Sequence, residues 1–234
     1  MNNYLVITGA SRGIGKATAK LFVSEGYSVI NLSRNQCDID GVINYSIDLA
    51  DSERPIGFEA ELIKPLQQAD RICLIHNAAL LLKDSIDSLK AENLRKVCEV
   101  NIVAPQRLNR LILPSMKPQS SILYVGSTLS EKAVGNSYSY TLSKHAGIGM
   151  MRSNCQDLVG KQIHTAAICP GFTDTEMLRE HIGEGAENSL QLAEKVTQKR
   201  LIEPQEIAKT LFFCSENPVI NGAVIHANLG QVES

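Results

Sequence analysis

An α/β fold, doubly wound around one seven-stranded parallel sheet with helices on both faces, is what this sequence predicts, and three observations predict it. Seven runs of strand length recur along the chain, most of them continuously apolar rather than alternating, as strands buried on both faces of a parallel sheet require. Amphipathic stretches lie between them, and alternation of β with α implies right-handed crossovers. The length, 234 residues, suffices for one large core, so residues 1–234 read as a single domain.

Tyr4–Thr8 is the first strand, an unbroken apolar run closed by the threonine, and Gly15–Ser24 is the first amphipathic helix. Strands at Ser28–Ser33 and Val42–Ile47 follow, then a helical stretch at Ser52–Leu66 and a strand at Arg71–His76. Ser88–Met116 reads as a long helix. Pro105 falls inside it, removes a backbone donor and must kink or split it. Ser121–Val125 and Ile163–Ile168 are strands on either side of a second long helix, Ser137–Val159. The stretch 172–199 has no strand of its own and carries Gly183 and Gly185 among helix formers. It reads as a helical flap over the site, since insertions of this length are usually functional; the plain alternative is a surface excursion. A helix at Pro204–Ser215 and a strand at Gly222–Ala227 complete the pattern.

Net charge is −2, with acidic and basic residues interspersed, which leaves no footprint for nucleic acid or for an anionic membrane surface. No run approaches the length of a membrane span. Met1-Asn2-Asn3 leads straight into the first strand, without the basic and apolar regions of a leader, so a cytoplasmic protein is expected. Cys37, Cys73, Cys98, Cys155, Cys169 and Cys214 are scattered without a Cys-x-x-Cys pair, and the five histidines are equally dispersed. Buried thiols in a reducing compartment are expected, and a metal site is not.

Directly after the first strand stands Thr8-Gly9-Ala10-Ser11-Arg12-Gly13-Ile14-Gly15, followed by helix formers. Gly9, Gly13 and Gly15 let the backbone turn and approach a pyrophosphate, with Ser11, Arg12 and Ile14 between them. The helix start supplies unpaired N–H groups and the positive end of a dipole. The spacing differs from the G-x-G-x-x-G fingerprint but meets the same demand, so a Rossmann-type dinucleotide fold is expected. At the end of the second strand, where an acid would grip a ribose 2′-hydroxyl, stand Ser33 and Arg34. Ser33 can donate to a 2′-phosphate, Arg34 can pair with it through a planar fork, and Arg12 can add a second charge. That favours NADP(H) over NAD(H). The alternative gives the acid's task to Asp38 or Asp40, several residues beyond. Asp48, with Leu49 beside it, is placed after the third strand to reach the adenine, or else to cap the helix that follows.

Ser127 lies thirteen residues before Tyr140, and Lys144 four residues after it. A Tyr with Lys at i+4 arises by chance in about one chain in three of this composition. The pair gains weight from its setting, on a helix after the fifth strand of a glycine-loop fold. A hydride arriving at a carbonyl carbon leaves charge on the oxygen, which needs one donor to polarise it and another to deliver a proton. Ser127 and Tyr140 can take these tasks. Tyrosine titrates near 10 unless a cation stabilises its anion, and Lys144 stands one helical turn away on the same face. Tyr138 has Leu142 at i+4 and lacks that cation; it is expected to border the substrate pocket.

Together these residues resemble the short-chain dehydrogenase/reductase family, in its single-domain branch, over nearly the whole chain. The glycine motif, Asp48, Asn77-Ala78 after the fourth strand, Asn101, the set Ser127, Tyr140 and Lys144, and Pro170-Gly171-Phe172-Thr173-Asp174-Thr175 stand in the family's order. The resemblance implies hydride transfer between a nicotinamide and a small to medium carbonyl or secondary alcohol. It implies that Asn77, Ala78, Ala79, Pro170, Gly171, Thr173 and Thr175 line the cofactor. Lys144 would also hold the nicotinamide ribose, with Tyr140 beside it, and Asn101 would anchor a water through which the proton is replaced. Homodimers or homotetramers built on the two long helices are implied as well. Two segments depart from the pattern. His76-Asn77-Ala78-Ala79 replaces N-N-A-G, and Ala227-Asn228-Leu229-Gly230 replaces the V-D-G-G of a tail that, in the family, helps close the site. A 3-oxoacyl carrier-protein reductase is one specific variant. A cofactor-binding regulator that has stopped catalysing is the alternative, against which the intact Asn101, Ser127, Tyr140 and Lys144 argue.

Overall fold

The computed structural model describes residues 2–51, 58–183 and 186–232. In chain order the elements are β1 (Asn3–Thr8), α1 (Gly13–Ser24), β2 (Ser28–Ser33), β3 (Val42–Ser46), α2 (Phe58–Leu66), β4 (Arg71–His76), α3 (Ala91–Cys98), α4 (Ala104–Ile112), β5 (Ser121–Val125), α5 (Tyr138–Asp157), β6 (His164–Pro170), α6 (Glu176–Ile182), α7 (Ala186–Glu194), α8 (Pro204–Glu216) and β7 (Val224–Ala227). All seven strands stand where the apolar runs predicted them. The predicted start of the second helix, at Ser52, lies outside the described residues.

The strands form one sheet in the order β3-β2-β1-β4-β5-β6-β7, every pair parallel. β1 is central, with Val6 in register with Ile30 on one side and Leu74 on the other. Successive side chains take opposite faces, so two cores form. Val6, Ile30, Leu74 and Ile122 pack with Leu62 and Leu66 of α2, Leu108 and Ile112 of α4, and Ile148 and Met151 of α5. Leu5, Ile7, Val29, Cys73 and Leu123 pack with Ala19 and Phe22 of α1 and Ile207 and Leu211 of α8. Each fully buried Leu, Ile or Phe contributes roughly 1.5–3 kcal/mol, which is why both faces of these strands are apolar. Chain order reverses between β1 and β4, and that reversal opens a crevice at the carboxyl ends of the strands.

The long helix predicted over Ser88–Met116 is split, as Pro105 requires. α3 gives way to a π turn at Glu99–Val103, closed by Ala104 N–H donating to the Glu99 carbonyl, and α4 starts with the proline in its first turn. There the missing N–H costs least. The described part of the 172–199 stretch carries α6 and α7 and is tied to the chain's end; Gly185 lies outside the described residues. Val196 bridges to Gln231, Thr197 N–H donates to the Gly230 carbonyl at 3.0 Å, and Val232 N–H to Lys195 at 2.8 Å. In that tail Leu229 takes a left-handed φ of 52°, at a cost of about 1–2 kcal/mol that a glycine would avoid. Among the described residues no helix is long and apolar enough to cross a membrane, and no cluster of His, Cys, Asp and Glu could hold a metal ion.

Candidate active site

The carboxyl edge of the sheet gathers the residues singled out above. Between β1 and α1 the glycine loop turns at Gly9, whose φ of +73° is a glycine conformation. Gly15 has no room for a side chain, since a Cβ there would lie 2.2 Å from the Gly9 carbonyl oxygen. The loop is stitched to its neighbours. Asn77 Nδ2 donates to the carbonyls of Thr8 and Gly9, each at 3.0 Å, and Thr8 Oγ1 accepts from the N–H groups of Asn77 and Ala78. Asn31 Oδ1 accepts from Ala10 N–H at 2.9 Å. Arg12 is the extended N-cap of α1, which has neither a side-chain cap nor an acid in its first turn. A helix start with no side-chain cap and no acid in its own first turn, beside a backbone turn, fits a pyrophosphate; Ser11, Gly13 and Ile14 lie in the same turn.

At the end of β2 the Ser33 hydroxyl donates to the Asn35 carbonyl at 2.6 Å, while the exposed Arg34 guanidinium has no ion pair among the described residues. Asp38, the alternative ribose acid, is paired with Lys16 of α1 at 2.7 Å. Asp48 is exposed after β3 beside Leu49 and accepts from Ala50 N–H at 3.0 Å, which closes a turn. Pro170 ends β6 opposite Ala227, and Gly171 packs on Asn228, where a Cβ would come within 3.0 Å. Thr173 is buried and donates to the Gly171 carbonyl at 3.2 Å. Thr175 caps α6 through Leu178 N–H at 3.3 Å, and its Cγ2 stands 3.1 Å from the Cβ position of Gly13.

Ser127 follows β5 and caps a short 3-10 turn: its Oγ accepts from Leu129 N–H at 3.1 Å, and its own N–H donates to Ser130 Oγ at 3.1 Å. Capping and chemistry are compatible here, because Oγ accepts in the turn and keeps its proton to donate. Tyr140 and Lys144 are both 9% exposed. Burial pushes the Tyr140 phenol up to about 12, against a hydrogen bond from Ser127 that lowers it. Burial pushes Lys144 down to about 8; its Nζ donates to the Val125 carbonyl at 2.7 Å and lies 5.4 Å from the centre of the Tyr140 ring. The expectation that Lys144 holds Tyr140 below its usual range is therefore not met in the chain alone. Taking both groups out of water penalises either charge more than their proximity favours it.

Asn101 sits in the π turn with its side chain fully engaged: Oδ1 accepts from Leu80 N–H at 2.7 Å, and Nδ2 donates to the Leu80 carbonyl at 3.0 Å and to Ser143 Oγ at 2.9 Å. Its main-chain carbonyl is a different matter. The N–H that would reach back to it in an α-helix belongs to position 105, and proline has none. His76, at the first place of the departing H-N-A-A, turns into the core, bonded through Nε2 to Asn109 Oδ1 at 2.7 Å, and burial pushes it down to about 4, a neutral ring.

Three contributors escaped the sequence reading. Buried Asp84 clamps the start of α5: Oδ1 accepts from Ser139 N–H at 2.9 Å and Oδ2 from the Ser139 hydroxyl, next to Tyr140. Ser143 links Asn101 to the Tyr140 carbonyl, to which it donates at 2.8 Å. Glu180 of α6 holds Arg12 at 2.6 Å. Asp84 stands directly after Lys83 and 55 residues before Ser139, so no local pattern marked it; the links of Ser143 to Asn101 and of Glu180 to Arg12 likewise depend on tertiary contacts.

A glycine loop at a sheet's reversal point, with the half-buried Ser127 and the buried Tyr140 and Lys144 at the same edge of the sheet, defines a dinucleotide-dependent oxidoreductase of α/β fold. The chain belongs to the short-chain dehydrogenase/reductase family: a family profile described as enoyl-(acyl carrier protein) reductase matches residues 9–231. It is 27% identical over 243 aligned residues to the 3-oxoacyl-[acyl-carrier-protein] reductase FabG of Thermotoga maritima, covering 97% of this chain and 96% of the relative. The reductase of the same name from Escherichia coli is 26% identical, with 96% and 95% covered. A short chain dehydrogenase family protein from Francisella tularensis superposes with a TM-score of 0.87 at 29% identity, covering 98% of both chains. A 4-hydroxyisoleucine dehydrogenase complexed with NADH gives a TM-score of 0.87 at 25% identity, again with 98% of both chains covered.

Proposed function

We propose that this oxidoreductase uses NADP(H), with Tyr140 as general acid and base, Ser127 polarising the substrate oxygen, and Lys144 supplying positive charge beside them. The observation that carries this reading is the burial of Tyr140 and Lys144 together, with no carboxylate paired to the lysine among the described residues. An unpaired buried cation is a stability cost that chemistry explains.

Gly9, Gly13 and Gly15 cradle the pyrophosphate with Ser11 and Ile14, while Asp48 and Leu49 border the adenine. Asn77, Ala78, Ala79, Pro170, Gly171, Thr173 and Thr175 line the nicotinamide half. The nicotinamide, when bound, supplies the hydride in reduction and takes it up in oxidation. Ser127 donates its free proton to the carbonyl oxygen, and Tyr140, neutral at pH 7, delivers its phenolic proton to the same oxygen as charge develops there. The phenolate left behind gives Lys144 the counter-ion that the resting site lacks. Asn101 acts through its main-chain carbonyl, which Pro105 leaves without an α-helical donor, by holding the water that returns a proton toward Lys144 and Tyr140. The single domain carries its own flap in 172–199, over the substrate.

Support for NADP(H) comes from the end of β2, where the Arg34 guanidinium has no ion pair among the described residues and Asp38 is engaged by Lys16. The Arg34→Asp variant is expected to move preference toward NADH; an unchanged preference for NADPH would give the 2′-phosphate to another residue. Tyr140→Phe is expected to keep NADPH binding and to lose at least the ~10²–10⁴-fold of a general acid. Near-normal turnover would remove Tyr140 from the mechanism. The substrate is best sought by following NADPH consumption over a carbonyl panel, with Tyr140→Phe as the blank. A 3-oxoacyl thioester on a carrier protein belongs first in that panel, because relatives that match over nearly their full length carry that activity in their names. Assembly as a homodimer or homotetramer belongs to the same reading, with Val103 and Leu142, exposed on the two long helical segments, as the apolar surface; light scattering tests it.

A further inference from the structure

Arg12 is the cation of the glycine loop, and in this structure a carboxylate of the same chain holds it. Its Nη1 lies 2.6 Å from Oε1 of Glu180 and its Nη2 3.4 Å from Oε2, so both arms of the guanidinium face the carboxylate. Glu176, one turn earlier on the same side of α6, adds its own negative charge to the surroundings of Arg12. Position on both sides is constrained. Arg12 is fixed as the N-cap of α1, and α6 is seated on the glycine loop through Thr175, whose Cγ2 leaves only 3.1 Å to the Cβ position of Gly13. One turn along α1, Lys16 is matched by Asp38. Along this seam Arg12 and Lys16 each have an acid, whereas Arg34, after β2, has none among the described residues.

A guanidinium fork that faces a carboxylate with both arms cannot present them at the same time to a phosphate monoester. We propose that Glu180 is a specificity-determining residue, which competes with the 2′-phosphate of the cofactor for Arg12 and so weakens binding of the phosphorylated dinucleotide alone. This rests on the assignment of Arg12 to the 2′-phosphate made above. NADH makes no demand on Arg12 and leaves the contact in place; NADPH must displace it. By reciprocity, NADPH also removes the Arg12 contact that holds α6 to the glycine loop beside Thr175, and NADH does not. Both partners are about half exposed, with side-chain accessibilities of 49% and 62%, which limits the effect to a small factor.

The test is fluorescence titration of NADPH and NADH against the wild type, Glu180→Gln, Arg12→Gln and the double variant. Glu180→Gln, isosteric and on the surface, is expected to tighten NADPH about two- to fivefold and to leave NADH unchanged. Arg12→Gln is expected to weaken NADPH and, in the double variant, to abolish the gain. An equal gain for both cofactors, or none for NADPH while Arg12→Gln still weakens it, overturns the competition. If instead Arg12→Gln leaves both affinities alike, the assignment of Arg12 itself fails, and the two failures are told apart by that single variant. Hydrogen exchange in α6 gives an independent readout: it should rise with NADPH but not with NADH, and equal protection in the two complexes would count against the competition.

Discussion

Two buried tyrosines stand at opposite edges of the same sheet, each with a cation beside it, and the cations are treated differently. At the amino edge Tyr27 donates to Glu216 Oε1 at 2.6 Å, and Arg71 donates to Glu216 Oε2 at 2.9 Å and to the Ser215 carbonyl. The Tyr27 ring meets Phe22 edge-on at 4.9 Å. Burial and then Glu216 push the Tyr27 phenol far above its usual range. For Glu216 burial acts upward, but the bonds from Tyr27 and Arg71 prevail and hold it low. At the carboxyl edge the Tyr140 phenol meets Ser127, and Lys144 donates to the Val125 carbonyl with no carboxylate paired to it among the described residues. A cation matched by a carboxylate holds the fold together; a cation left with a carbonyl costs stability and, under the proposed mechanism, keeps its charge for a reacting group. The contrast separates structure from chemistry in one molecule.

Lys144→Met should give the largest effect, because it removes that available charge. Turnover is expected to fall by at least the ~10²–10⁴-fold associated with the general acid it supports, while the fold becomes more stable. Lysine held at about 8 rather than 10.5, at about 1.4 kcal/mol per pH unit, makes burial of the charge cost on the order of 3 kcal/mol. The sign follows from proton counting. Between pH 8 and 10.5 the unfolded chain keeps the lysine proton that the native chain has released, so wild-type stability rises with pH across that window. Below pH 8 the full penalty applies. Denaturant melts should therefore show Lys144→Met ahead of wild type at pH 7 and level with it above pH 10.5. A variant less stable than wild type at pH 7 would break the comparison.

Arg71→Met is the converse test. Glu216, itself exposed, then loses its cation, and the Ser215 carbonyl loses a charged donor, which should cost about 1.5–3 kcal/mol. Turnover per folded molecule should not change, since nothing at the amino edge touches the crevice. Equilibrium unfolding and a single assay of the folded fraction check both halves.

Much of this contrast could be read in the chain beforehand, for identifiable reasons. The strands were legible because burial on both faces demands unbroken apolar runs such as Leu5-Val6-Ile7, and the glycine loop because Gly9 and Gly15 are required by backbone geometry alone. Ser127, Tyr140 and Lys144 were legible by spacing and setting. Their ionisation was not. An i,i+4 spacing says that a lysine can reach a tyrosine, but whether proximity or burial prevails depends on water exclusion by β5, β6 and α5 together. Pro105 announced a break in its helix, yet the π register arises where Asn101 locks onto Leu80 and Ser143. Asp84 and its partner Ser139 lie 55 residues apart in sequence, and Arg12 and Glu180 lie 168 apart; no local pattern encodes such pairs.

The smallest expected effect on stability comes from removing one hydroxyl at each edge. Tyr27→Phe deletes the bond to Glu216 but leaves Arg71 to satisfy that carboxylate, so about 1 kcal/mol of stability should go, with turnover intact. Tyr140→Phe deletes the bond to Ser127, whose Oγ still accepts from Leu129 N–H, so stability should change by no more than about 1 kcal/mol while turnover collapses. Both phenols titrate above 10, the native state keeping a proton that the unfolded chain has lost, so wild-type stability should fall as pH rises from 10 toward 12. Each phenylalanine variant should flatten that fall by its own share. If Tyr27→Phe also lost turnover, the amino-edge cluster would have a part in positioning the crevice, and the division between the two edges would have to be redrawn through β4, the strand that connects Arg71 to Asn77.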